Sequence, residues 1–200
     1  MIVASADLSN SDKTDGFLKK TKAFTKGDFS GKFFQAGVSE FTMACIMNGM
    51  ALHGGVIPAC GTFFVFSDYM KPAMRMSSLM NLPVNYVFTH DSINIGQDGP
   101  THQPVEQLTM LRSMPNVNVI RPATAAEVRE TYKVAFTEKE TPSAIILTRQ
   151  TVQEVFSDNP INVKQGAYIF RNEDEKLDAI LLATGSEVAT AAEVKVMLKE

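Results

Sequence analysis

Cysteine is scarce. Cys45 and Cys60 are the only two; they have no metal-ligand spacing and form no C-x-x-C. That argues against a disulfide scaffold or a thiolate zinc site, and two buried free thiols in a reducing cytoplasm are expected. Excess charge is also small. A net charge of −3 over 200 residues gives no reason to expect nucleic acid or an anionic membrane as a partner. No apolar run reaches the roughly 18 residues of a membrane span. The start, Met1-Ile2-Val3-Ala4-Ser5, has neither the basic residues nor the long apolar core of a secretory signal. Internal repeats and low-complexity segments are missing as well. What is present is 44% hydrophobic and 20% charged, the balance of a soluble globular protein with a sizeable core.

Short β-prone runs alternate with helical patterns. Residues 2–8 begin as a short strand that runs into a loop from Ser5; residues 32–36, 56–66, 83–89, 117–120 and 143–148 read as strands, and 40–53, 68–80, 105–114 and 125–138 as helices. This spacing predicts an α/β fold: a parallel sheet with helices on both faces and right-handed crossovers. Residues 12–31 read as exposed loop with one helical turn, and Lys13, Lys19, Lys20, Lys22 and Lys26 as a solvated face. The 40–53 helix is apolar nearly all round, from Phe41 and Met43 through Cys45 and Met47 to Leu52, which predicts burial. Ser39 stands at its N-cap and Gly54-Gly55 at its end. Composition shifts at Arg149. Residues 1–150 make the main domain, 151–166 a polar linker, and 167–200 the beginning of a second α/β domain. There a hairpin-like pair (167–171 and 177–184) precedes Gly185-Ser186 and a helix through Glu200. So short a piece buries no core of its own, so its helix docks elsewhere or frays.

The most informative stretch is Tyr86 to Pro104. A β-prone run stops at His90, a loop containing Asp91, Gly96, Asp98 and Gly99 follows, and His102 lies near its far end. In an open α/β sheet ligands bind just beyond the carboxyl ends of strands. Spacing alone fits a ligand site and a well-capped turn with two solvated imidazoles equally well. Glu40, in a helix first turn, either complements the helix dipole or points into a cleft. Phe63, Phe66 and Tyr69 either pack the core or offer faces to a flat heterocycle. His53 reads as a plain helix-end residue.

Several motifs, taken in order, resemble the central pyrimidine-binding domain of transketolases over about residues 3–150. They are Gly37-Val38-Ser39-Glu40, the run Gly61 to Tyr69, Thr89-His90-Asp91-Ser92-Ile93, Asp98 to Pro104, Leu111 to Asn116, Arg121-Pro122-Ala123 and Thr148-Arg149-Gln150. Residues 178–200 resemble the start of that enzyme's C-terminal domain. The resemblance implies transfer of a two-carbon ketol unit from a ketose phosphate to an aldose phosphate, as in the pentose phosphate pathway, with thiamin diphosphate as cofactor. It implies that Glu40 hydrogen-bonds N1′ of the aminopyrimidine, so that the 4′-imine takes the proton from thiazolium C2. It implies that Phe63, Phe66 and Tyr69 cradle the pyrimidine and that Asp7 touches the cofactor. By the same resemblance Asp98 bonds a substrate hydroxyl and His102 assists proton transfer near the reacting carbon. Ser11, His90 and Arg149 hold the sugar phosphate, Arg149 through its planar fork.

Two departures stand out. Ser39 and Phe41 replace the Arg and His that commonly flank the family's catalytic Glu. The Gly-Asp-Gly…Asn motif that holds the diphosphate and its Mg2+ or Ca2+ belongs, in the family, to a separate N-terminal domain. Gln97-Asp98-Gly99-Pro100 does not reproduce that motif. The chain is therefore expected to carry half a site, to be inactive alone, and to act in a homodimer or with an N-terminal-half partner in the cytoplasm. The alternatives are another thiamin diphosphate ketol enzyme (a dihydroxyacetone or deoxyxylulose phosphate synthase) and a non-catalytic partner-binding module. Thr89-His90-Asp91-Ser92 and the His90–His102 pair favour transketolase over the deoxyxylulose phosphate enzyme.

Overall fold

The computed structural model describes residues 1–198; Lys199 and Glu200, the expected helix end, lie outside the described residues. Six strands form one sheet: β1 (Ile2–Ser5), β2 (Phe33–Gln35), β3 (Pro58–Phe63), β4 (Asn85–Thr89), β5 (Asn118–Ile120) and β6 (Ser143–Ile146). Their order is β2-β1-β3-β4-β6-β5 and every neighbouring pair is parallel. The helices are α1 (Asp15–Leu18), α2 (Glu40–His53), α3 (Ser67–Leu79), α4 (Gln107–Arg112), α5 (Ala125–Thr137) and α6 (Glu187–Met197).

Strand alternation explains the two layers, because successive side chains point to opposite faces. On one face Ala4, Cys60, Tyr86, Phe88, Ala144 and Ile146 meet Met43 and Met47 of α2, Met70 and Met74 of α3, and Leu111 of α4. On the other, Val3, Phe33 and Ala59 meet Phe17 and Leu18 of α1, and Val87 and Ile145 meet Tyr132 and Ala135 of α5. The expected parallel sheet with helices on both faces is thus the fold. A buried polar knot locks the larger layer. Asn48 donates to the Ala73 carbonyl at 2.9 Å and accepts from Ser77 Oγ and Tyr86 Oη at 3.0 and 3.1 Å. Burial pushes the Tyr86 hydroxyl far above its ordinary range.

Several expectations need correction. Only Glu40, Met43, Ala44, Met47 and Asn48 of α2 are buried. Phe41 is 50% and Leu52 61% exposed, because α2 packs on the sheet and α3 and nothing covers its outer side. For the same reason Cys45 is exposed; Cys60, inside β3, is buried and its thiol pKa is pushed up by burial. Ser39 caps α2 by position only, since its Oγ donates back to the Ala36 carbonyl at 2.7 Å. Residues 12–31 are less exposed than their lysines imply. Asp12 is buried and accepts from Ser5 Oγ (2.5 Å), Thr14 N (2.9 Å) and Thr14 Oγ1 (2.7 Å). Gly61 makes room for this clasp: a Cβ there would lie 2.7 Å from Thr14 Cγ2.

No hairpin forms over 167–184. Residues 151–186 hold one 3-10 turn, Val163–Gln165, and no strand, and Ile180 and Leu182 are exposed. An isolated two-stranded ribbon with no packed face is marginal. The segment is instead held at points. Tyr168 hydrogen-bonds Glu127, and Gly185 N–H donates to the Arg121 carbonyl at 3.0 Å. α6 then meets the first domain through the Arg121–Glu187 pair, with Ala189 buried. Among the described residues no helix is long and apolar enough to cross a membrane.

Candidate functional site

A parallel sheet aims all its strand ends one way. Asp7 follows β1, Glu40 opens α2 after β2, Phe63 ends β3, His90 follows β4, Arg121 follows β5 and Arg149 lies just past β6. Side chains from every strand therefore gather at the edge where such folds bind ligands.

The centre of that edge is aromatic. The rings of Phe63 and His90 stack with centroids 3.7 Å apart and 24° between planes. Phe66 lies parallel to Phe63 at 6.1 Å, and Tyr69 stacks on Phe66 at 6.0 Å. His102 meets Phe66 and Phe63 edge-on at 5.3 and 6.1 Å. The 3-10 turn at Phe64–Phe66 makes this row, because residues three apart eclipse in that geometry. The His102 loop is pinned to α3: Gln107 Nε2 donates to Asp68 Oδ2 at 3.0 Å while its Oε1 accepts from Val105 N–H at 2.8 Å.

His90 turns the chain at a φ of 60° and its Nδ1 lies 2.9 Å from Thr89 Oγ1. Burial holds its pKa below the usual histidine value, and the Arg149 cation adds to this. Lys13 and His102 act the same way, and Asp98 opposes them. Arg149, Asp98 and His102 thus share one field with His90. Gly96 passes over Arg149, where a Cβ would lie 3.9 Å from Cζ. Arg149 is exposed and has no ion-pair partner among the described residues.

Glu40 is buried, yet its carboxylate has no hydrogen-bond or ion-pair partner among the described residues. Both α2 and α3 start at the same sheet edge and run side by side, with Asn48 meeting Ala73 and Ser77. Glu40 opens α2 and Ser67 opens α3, directly after the Phe64–Phe66 turn, so both helix starts lie at this edge.

The remaining sequence-derived residues are less tightly placed. Asp7 is exposed at a φ of 65° and its carboxylate has no partner among the described residues. Among the described residues Ser11 Oγ reaches only Asn10 Oδ1, at 3.3 Å. Three residues escaped the sequence reading. Lys13, read as solvated, contributes to the charge around His90. Gln107 pins the His102 loop, and Arg121 is buried against Asp91. The available signal for Arg121 was its position just past a strand, the same as that of His90 and Arg149.

Residues 1–154 match the family model of the transketolase pyrimidine-binding domain. The transketolase of Bacillus subtilis strain 168 is 50% identical over 198 residues, covering 97% of this chain and 29% of that protein. Transketolase from Leishmania mexicana superposes with a TM-score of 0.94 at 38% identity, over 99% of this chain and 29% of that one. A split-gene transketolase described as an inactive β4 tetramer matches with a TM-score of 0.60 at 33% identity, over 78% of this chain and 47% of that one. The chain spans less than a third of the length of the Bacillus relative, and it belongs to the transketolase family, whose pyrimidine-binding domain it carries.

Proposed function

We propose that this chain supplies the pyrimidine side of a transketolase active site, for transfer of a two-carbon ketol unit from a ketose phosphate to an aldose phosphate. One observation carries the reading. The Phe63–Phe66–Tyr69 row, flanked by His90 and His102, shares one sheet edge with Glu40, whose carboxylate has no hydrogen-bond or ion-pair partner among the described residues. Aromatic faces suit a flat heterocycle, and a carboxylate that no protein donor occupies is available to accept a ligand's N–H. The aminopyrimidine of thiamin diphosphate meets both demands.

When bound, that cofactor supplies the nucleophilic carbon for ketol transfer. Glu40 holds a proton at the pyrimidine N1′, while Phe63, Phe66 and Tyr69 orient the ring and keep water away. Asp7 touches the cofactor. Asp98 bonds a substrate hydroxyl, and His102 moves a proton near the reacting carbon. Ser11, His90 and Arg149 bind the sugar phosphate; the unpaired guanidinium of Arg149 supports this role. Mg2+ or Ca2+ and the diphosphate fall to residues outside this chain.

The assembly is a homodimer or a pairing with an N-terminal half, and because a second copy of this chain adds no diphosphate site, activity needs the N-terminal half. Exposed Val38, Phe41, Leu52 and Tyr69 support such a contact, as does the likeness to a split-gene transketolase. A coupled ketol-transfer assay tests the function. The chain alone is expected to be inactive, and adding the N-terminal half is expected to give activity that Glu40→Ala abolishes. Ketol transfer by the isolated 200 residues contradicts the half-site reading.

A further inference from the structure

The Arg121 side chain is only 8% exposed and grips two parts of the chain. Its Nε and Nη2 both reach Asp91 Oδ2, at 2.8 and 2.6 Å. Its Nη1 donates to the Thr184 carbonyl at 2.7 Å and pairs with Glu187 at the start of α6. The main chain adds to the junction, since Thr184 Oγ1 and Gly185 N–H donate to the Arg121 carbonyl at 2.9 and 3.0 Å. Gly185 permits this approach: its φ is +61° and a Cβ would lie 2.7 Å from the Arg121 Cζ.

Asp91 depends on that grip. Its side chain is fully buried and its Oδ1 has no partner, so Arg121 supplies every hydrogen bond the carboxylate receives among the described residues. Removing the partner of a buried carboxylate is strongly unfavourable. The residue just before is His90, in a left-handed conformation that a non-glycine residue keeps only when its surroundings hold it. Two holds are visible, the Phe63 ring on the imidazole and the Arg121 anchor on the next side chain.

We propose that Arg121 is a positioning residue. By holding Asp91 on one side and Thr184–Glu187 on the other, it sets the His90–Asp91 turn and makes anion recognition at His90 depend on the docking of the C-terminal segment. The anion part of this inference rests on reading His90 as a phosphate-binding group. Arg121 itself touches no substrate in this scheme.

NMR of the His90 and His102 imidazoles in the 200-residue chain, titrated with inorganic phosphate, tests it. Arg121→Met is expected to shift the His90 ring signals, leave those of His102 in place, and weaken phosphate binding roughly fivefold to tenfold. Glu187→Gln cuts only the C-terminal tie and is expected to move His90 less, in the same direction. If Arg121→Met prevents folding, Gly185→Ala keeps every charge, drives a methyl group into the guanidinium, and must displace the same His90 signals. A folded Arg121→Met or Gly185→Ala protein with unchanged His90 signals overturns the proposal, even if it melts at a lower temperature. If His90 in the unaltered chain ignores phosphate, the phosphate reading fails separately, and the His90 shift still decides whether Arg121 positions the turn.

Discussion

His90 and Phe63 stack face to face, their ring centroids 3.7 Å apart. This contact joins the end of β3 to the end of β4 and puts an imidazole against the aromatic row. Phe63→Ala removes a ring only 7% exposed and strips His90, Phe66 and His102 of a neighbour. Stability should fall by about 3–5 kcal/mol, measured by denaturant unfolding, and the His90 ring signals should move.

The pH response of His90 follows from its surroundings. Burial, and then the Arg149 cation, lower its pKa from the ordinary 6.5, so the folded chain binds fewer protons here than the unfolded one. Its share of stability is full above pH 6.5 and is lost as pH falls through that value toward the lower folded pKa. Arg149→Met should bring the pKa partway back up, with burial holding the rest. An NMR titration in which it stays put or drops contradicts the shared field.

Gly61 and Thr14 make a double-variant test of the loop that carries Ser11 and Lys13. Gly61→Ala sets a methyl group 2.7 Å from Thr14 Cγ2 and 3.1 Å from Asp12 Oδ2, at a cost of about 1–3 kcal/mol. Thr14→Ser removes Cγ2 while keeping the hydroxyl that bonds Asp12. The double variant should recover part of the loss, and simple additivity in thermal melts means the two atoms do not compete.

How much of this was legible in the sequence depended on range. The alternation of Val3 with Ala4, Val87 with Phe88 and Ile145 with Ile146 is local, so the two-faced parallel sheet could be read directly. Phe63, Phe66 and Tyr69 were recognisable as a ring cradle only through the family motif. What escaped was set by distant partners. Nothing near Arg121 announces its bond to Glu187, 66 residues on. The exposure of Cys45 depends on what α2 lacks on its outer side. The 177–184 run has strand composition but no sheet edge to join. The placement of Asp7 and Ser11 in the cofactor and phosphate sites is carried by the family motif, with no ligand-facing geometry of their own.

The apolar outer side of α2 predicts self-association. Phe41, Cys45 and Leu52 are exposed on one side of α2, and large exposed apolar surfaces seek a partner. Sedimentation should show a dimer, and Phe41→Glu combined with Leu52→Glu should shift it toward monomer. A concentration-independent monomer in the unaltered chain contradicts this.

The half-site claim is tested most directly by calorimetric titration of thiamin diphosphate with magnesium into the chain, with and without a separately supplied N-terminal half. The account predicts saturable binding only when both halves are present, and its loss in Glu40→Ala. Tight magnesium-dependent binding to the chain alone, or binding to the pair that Glu40→Ala leaves intact, would contradict it.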